Sequence, residues 1–261
     1  MQMLIEWGPN PILFSWGIIT IRWYGIFFAL AFISGGILGT WILKRESKPP
    51  ESIDRIMLYM IVATIVGSRI GHCLFYDPVY YLSNPLEILK IWKGGLASHG
   101  GAIGIIFAFY LYSKRTPDQP FFWILDRVAV TGALGSAYVR IGNLFNSEII
   151  GLPTNADWGF IFTRIDNIPR HPTQLYESAT YLVIFLILLF LYLRKDLADR
   201  KGFLSGMTLV LLLPARLMIE FLKENQSAFE EGWVLNMGQL LSILLFLVGI
   251  GFLVKAFKQK P

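Results

Sequence analysis

Charged side chains are scarce in this sequence. They make up 16% of its 261 residues, 23 Lys or Arg against 18 Asp or Glu, whereas a soluble domain carries about a quarter. That scarcity excludes a disordered chain, a coiled coil and a nucleic-acid-binding surface, each of which needs more charge. Cysteine is almost absent. Cys73 alone forms neither an internal disulfide nor a multi-thiolate metal site, and reads as a small apolar packing residue. No Ser, Cys or Asp stands beside a His in a nucleophile motif, and no set of side chains resembles a metal site, so neither a metal nor another cofactor is expected. The stretch Met1 to Glu6 has no basic region of the kind that opens a signal peptide, so the first hydrophobic helix is expected to direct insertion. No linker or internal repeat divides the chain, which predicts a single domain over 1–261.

What is abundant is apolar side chain, 54% of the total, and it comes in long runs. Stretches of roughly 20 apolar residues, the length that crosses a bilayer, fall at 23–43, 55–75, 96–113, 121–145, 174–193, 203–222 and 237–255. The expected fold is an all-α integral membrane protein, a bundle of seven transmembrane helices with short interfacial outer segments around 76–95 and 148–172. The aromatics Tyr80, Tyr81, Trp92 and Trp158 fit an interfacial position for those segments.

The basic residues orient the bundle. With the N-terminus outside, Lys44, Arg45, Lys48, Arg55, Lys114, Arg115, Arg194, Lys195, Arg200, Lys201, Lys255, Lys258 and Lys260 all fall on the cytoplasmic side. Only Lys90, Lys93, Arg164, Arg170 and Lys223 fall outside. The excess of inner cations predicts the N-terminus out and the C-terminus cytoplasmic. Five cations remain in or at the rim of spans: Arg22, Arg69, Arg127, Arg140 and Arg216. Snorkelling accounts for Arg22, and Arg127 lies beside Asp126 at the inner boundary. A central arginine is costly in lipid, so Arg69, Arg140 and Arg216 point to a polar pocket.

On this orientation the polar groups gather at the outer ends of the spans: Tyr24, Arg69, His72, His99, Arg140, Asn143, Asn146, Glu148, His171, Gln174, Glu177, Arg216, Glu220 and Gln239. Arg140, Asn143 and Ser147 share one helical face. Arg216 and Glu220, four apart, either form a site or neutralise one another. Gly100, Gly101 and Gly104 permit either an anion site at a helix start or a close-packed helix face. Guanidinium forks suit a phosphate, and at this depth a phosphate belongs to a phospholipid head group. His99 is either a proton acceptor or a packing residue. These features favour direct chemistry on a bound lipid and leave the reaction open. An outer-facing anionic-solute transporter and a phospholipid-binding seven-helix sensor remain alternatives.

One family matches these residues. The run Arg140-Ile141-Gly142-Asn143-Leu144-Phe145-Asn146-Ser147-Glu148-Ile149-Ile150-Gly151 resembles the signature of the prolipoprotein diacylglyceryl transferases, with Val139 where that signature opens on glycine. Similar blocks stand at Arg22-Trp23-Tyr24-Gly25, Gly67-Ser68-Arg69-Ile70-Gly71, His99-Gly100-Gly101, Arg170 to Glu177, Arg216 to Phe221 and Met237 to Ser242. They run in order over nearly the whole chain. The resemblance implies transfer of the diacylglyceryl group of phosphatidylglycerol to the thiol of the lipobox cysteine in a prolipoprotein signal peptide. A thioether forms and glycerol phosphate leaves, at the outer leaflet of a bacterial cytoplasmic membrane. It also implies roles. His99, Arg140 and Arg216 are the expected catalytic set, with His99 as base, Arg140 on the head-group phosphate and Arg216, positioned by Glu220, on the departing phosphate. Tyr24 orients the lipid, and Asn143 and Glu148 fix the glycerol hydroxyls. Arg69, Asn146, Gly151, Glu177 and Glu220 complete the expected substrate-binding set.

Overall fold

The computed structural model describes residues 3–17, 19–224 and 237–259; Lys260 of the basic tail lies outside them. Seven long helices occupy the seven apolar stretches: α1 (Trp23–Arg45), α2 (Ser52–Phe75), α4 (Ser98–Arg115), α5 (Phe121–Asn146), α6 (Thr173–Leu193), α8 (Phe203–Glu220) and α9 (Met237–Lys258). Two short helices, α3 (Pro78–Ser83) and α7 (Lys195–Ala198), and two 3-10 turns at Pro85–Leu89 and Ile91–Lys93 lie between them. Helices α1, α2, α6, α8 and α9 are long and apolar enough to cross a membrane. Their apolar side chains stay exposed, among them Ile37 at 68%, Leu58 at 59% and Leu244 at 59%. In water such surfaces would be untenable, and in hydrocarbon they are the solvated face.

Helices α4 and α5 are less apolar, for different reasons. Helix α4 turns Ile103, Ile106 and Phe107 outward and uses its glycines inward. Helix α5 carries Asp126, Arg127 and Arg140 because it faces protein: Val130, Ala133, Ala137 and Leu144 are all buried.

The chain forms two compact units, one of 1–37 and 126–261, the other of 38–125. In the second unit, α2 and α4 meet through glycine. A Cβ on Gly67 would overlap the Gly100 carbonyl oxygen, one on Gly71 would lie 2.7 Å from Gly100 Cα, and one on Gly104 would lie 2.6 Å from Ala63 O. The glycine run after His99 is therefore a backbone-to-backbone packing face.

The first unit holds strands as well as helices, which the expectation of an all-α chain omits. Strand β1 (Met3–Trp7) pairs in parallel with β4 (Trp158–Phe162), which pairs antiparallel with β5 (Pro169–Arg170). A separate hairpin joins β2 (Ile12–Trp16) to β3 (Ile19–Arg22), so Arg22 closes a strand and lies outside the helix that follows. The small sheet braces the end of α5. Phe160 and Phe162 pack with Leu144, and Trp7 donates its indole N–H to Leu144 O at 3.0 Å. At the other end of α5, Asp126 accepts from Gly202 N at 2.7 Å, Ser205 N at 2.8 Å and Ser205 Oγ at 2.7 Å, capping the start of α8. Helix α5 is thus held at both ends.

Candidate functional site

The signature residues are set by how α5 stops. Ser147 takes a positive φ of 54°, Ser147 N–H donates to Leu144 O at 3.0 Å and Glu148 N–H to Asn143 O at 3.0 Å. This is a Schellman termination with serine in the left-handed position that glycine usually takes. It folds Glu148 back over the helix end. Asn143 Nδ2 donates to Glu148 Oε2 at 3.1 Å, Asn146 Nδ2 to Glu148 Oε1 at 3.1 Å, and Arg140 Nη1 to Asn143 Oδ1 at 3.1 Å. Four expected residues therefore form one hydrogen-bonded chain. Val139 does not disturb it, since α5 runs unbroken through Asn146. Tyr24 is beside this chain: a Cβ on Gly142 would lie 3.0 Å from its ring, and its phenol lies within electrostatic reach of Glu148 and Arg140.

Behind Arg140 is a buried ionic cluster. Glu177, on the first turns of α6, is fully buried. Its Oε2 lies 2.9 Å from Arg140 Nε, and its Oε1 accepts from Lys223 Nζ at 2.9 Å and Tyr181 Oη at 3.2 Å. Lys223 Nζ also donates to Glu220 Oε2 at 3.0 Å. Two of the three guanidinium nitrogens of Arg140 are thereby committed to the protein. A carboxylate so deep is tolerable only because two cations and a hydroxyl meet it.

Three expectations change here. Lys223, expected among the outer-segment cations, is 6% exposed and central to the cluster. Its signal in the sequence is its three-residue spacing after Glu220, hidden because α8 ends at Glu220 and the chain then turns. Glu220, expected to position Arg216, holds Lys223, while the buried Nε of Arg216 has no hydrogen-bond partner among the described residues. Glu177, expected to contact substrate, acts as the counter-ion that Arg140 and Lys223 share.

Gly151 is a packing glycine. Its N–H donates to His171 O at 3.1 Å, and an added Cβ would lie 2.7 Å from His171 Cβ. The strand segment around it is clasped from both sides: Leu152 N–H donates to Leu222 O at 2.8 Å and His171 N–H to Leu152 O at 3.1 Å. Gln174 Nε2 and Thr173 Oγ1 hold the Glu148 and Ile149 carbonyls at 2.6 and 2.9 Å. Arg170, absent from the expected site set, ties the same region together. It donates to Gly151 O at 3.1 Å, to Glu224 and to both Asp166 oxygens. The Arg170 guanidinium holds the Asp166 carboxyl below its usual range, and Asp166 and Glu224 in turn raise that of Arg170.

In the second unit, Arg69 is 3% exposed and fully engaged with backbone. It donates to Ile88 O at 2.9 Å, Glu87 O at 2.6 Å, Gly94 O at 2.6 Å and Gly95 O at 3.3 Å, and lies over the Tyr81 ring. It organises the segment between α2 and α4, with all three guanidinium nitrogens donating to backbone carbonyls. His99 is exposed at the start of α4, its ring nearly parallel to Tyr76, which stacks in turn on His72.

The arrangement in the first unit presents an arginine with residual donors, an amide–carboxylate chain suited to hydroxyl groups, and an arginine whose buried Nε has no hydrogen-bond partner among the described residues. A profile of the prolipoprotein diacylglyceryl transferases matches residues 11–255. The phosphatidylglycerol–prolipoprotein diacylglyceryl transferase of Chloroherpeton thalassium is 47% identical over 255 residues, covering 98% of this chain and 95% of that one. Those of Tolumonas auensis and Porphyromonas gingivalis are each 44% identical, covering 98% and 99% of this chain and 99% and 97% of theirs. With matches of this identity along almost its full length, the chain belongs to the prolipoprotein diacylglyceryl transferase family.

Proposed function

We propose that this protein transfers the diacylglyceryl group of phosphatidylglycerol to the cysteine thiol of a prolipoprotein lipobox, forming a thioether and releasing glycerol phosphate. The observation that carries this reading is the chain Arg140–Asn143–Glu148–Asn146, because it offers a phosphate ligand and hydroxyl partners together at the end of one helix. The remaining donors of Arg140 hold the head-group phosphate, Asn143, Asn146 and Glu148 engage the glycerol hydroxyls, and Tyr24 orients the lipid. The attacking sulfur must be a thiolate. His99 takes the thiol proton, directly or through water. As the glycerol C–O bond breaks, charge builds on the leaving phosphate, and Arg216 stabilises that charge more than it stabilises the ground state. Arginine stays protonated, so it serves as electrostatic partner and not as base.

All seven long helices span the cytoplasmic membrane on this reading, with the N-terminus outside, the C-terminus in the cytoplasm and the chemistry at the outer leaflet. Both compact units belong to one membrane domain. A solute transporter would need polar groups through the whole bundle, and the inner halves of α6 and α9 are almost wholly apolar. A sensor would bind lipid without turning it over. Purified protein incubated with phosphatidylglycerol vesicles and a lipobox peptide should add the mass of one diacylglyceryl unit to the peptide. A peptide of unchanged mass, with lipid bound, would leave the sensor.

A further inference from the structure

Arg216 and Glu220 are one helical turn apart, a spacing at which arginine and carboxylate ordinarily pair. Here they do not. Lys223, whose side chain is 2% exposed, takes Glu220 Oε2 at 3.0 Å and Glu177 Oε1 at 2.9 Å, and the buried Arg216 Nε has no hydrogen-bond partner among the described residues. Lys223 is itself fixed from the backbone side. It forms a bridge with Gly151, Leu222 O accepts from Leu152 N–H at 2.8 Å, and Glu224 N–H donates to Ile150 O at 3.3 Å, where Arg170 also holds the Glu224 carboxylate. An ammonium with several rotatable bonds thus has one position, between two carboxylates.

We propose that Lys223 is a positioning residue that keeps Arg216 available for substrate phosphate by capturing Glu220, and keeps Arg140 aligned by completing the shell of Glu177. Glu177 and Glu220 are met by Arg140 and Lys223, and among the described residues no carboxylate pairs with Arg216. An arginine so placed meets the single charge of a phosphodiester head group and the second charge gained as the monoester departs. Without Lys223, Glu220 turns to its neighbour one turn back and neutralises the arginine that the reaction needs. Lys223 touches no reacting atom; it acts through two carboxylates.

This rests on the reading of Arg216 as a phosphate ligand, and the test separates the two. In phosphatidylglycerol vesicles with a lipobox peptide, Lys223→Met should lower kcat/KM about 100-fold, the scale of losing one charge-stabilising group at a transition state. Both a lower kcat and a higher KM for phosphatidylglycerol are expected. Lys223→Arg, which keeps the charge, should stay within about threefold of the native rate, and Lys223→Met/Glu220→Gln should regain about tenfold over Lys223→Met, because the carboxylate that would neutralise Arg216 is gone. Thermal unfolding in detergent accompanies each variant. If Lys223→Met alone does not fold, the charge-balanced double variant decides: transfer well above background supports the proposal, and a folded but inactive protein overturns it. Arg216→Gln is run beside them. If it transfers normally, the phosphate-ligand reading fails. If it is inactive while Lys223→Met matches the native rate, only the role of Lys223 fails.

Discussion

Arg140 uses Nε on Glu177 and Nη1 on Asn143, and on the proposed function the rest of its planar fork faces the phosphate. A lysine has three donors on one nitrogen but no planar fork to divide between Glu177, Asn143 and a phosphate. Arg140→Lys and Arg216→Lys should each reduce diacylglyceryl transfer by about 10²–10³-fold, measured as thioether formed per minute in defined vesicles. Near-native rates in both would remove the phosphate-clamp idea. Glu177 belongs to another category, since it is completely buried and meets two cations. Glu177→Gln leaves those cations partly uncompensated and should cost about 3–5 kcal/mol of stability, read as a lower melting temperature in detergent. A variant that melts with the native protein would show that Glu177 carries little of the cluster. Of these residues, Arg140 and Asn143 are readable in sequence because helical spacing alone predicts a shared face, whereas Glu148 reaches them only through the turn that ends α5. Lys223 is not readable in that way. Its partners come from two helices, and its own position depends on a turn after α8 that no periodicity announces.

Helices and strands differ in the same respect. The apolar run at 23–43 predicts what becomes Trp23–Arg45, and 174–193 predicts Thr173–Leu193, because the length of an apolar run and the length of a helix in lipid answer to one quantity. Strand β1 pairs with residues 158–162, far along the chain, and its pattern of five residues is too short to declare a partner. Gly100, Gly101 and Gly104 permit two sequence readings, and only the positions of Gly67 and Gly71 on the facing helix decide for packing. That decision has a direct consequence. Gly67→Ala puts a methyl against the Gly100 carbonyl and should destabilise by about 1–3 kcal/mol, whereas a Cβ on Gly132, in α5, meets nothing within 4 Å. Gly132→Ala should therefore be neutral or stabilising by about 0.4–1 kcal/mol. Melting temperatures of the two variants should move in opposite directions or at least separate clearly; equal shifts would mean that α2 and α4 are not in backbone contact.

For the molecule as a whole, the proposed orientation rests on the positive charges outside the cluster. Lys44 and Arg45 end α1 and Lys48 follows it, Lys114 and Arg115 end α4, Arg194, Lys195, Arg200 and Lys201 lie between α6 and α8, and Lys255 and Lys258 end α9. All of these ends fall on one side if every long helix crosses once. The proposed chemistry demands the same orientation, because residues 140–151, 171–177 and 216–220 then all belong to the outer half. A labelling experiment can separate this from the inverted arrangement. Cys73 is the chain's single cysteine and is buried, so Cys73→Ser supplies a silent background. Asn155 and Asp199 are both exposed, the first between α5 and α6 and the second between α7 and α8. With Asn155→Cys in that background, a membrane-impermeant maleimide added to cells whose cytoplasmic membrane is intact and accessible should label the protein. With Asp199→Cys it should label only after the membrane is opened. The reverse pattern would place the arginines on the cytoplasmic side, where the thiol of an exported prolipoprotein could not meet them as proposed. Labelling of both sites in intact cells would mean that α6 does not cross, and the count of seven spans would fall with it.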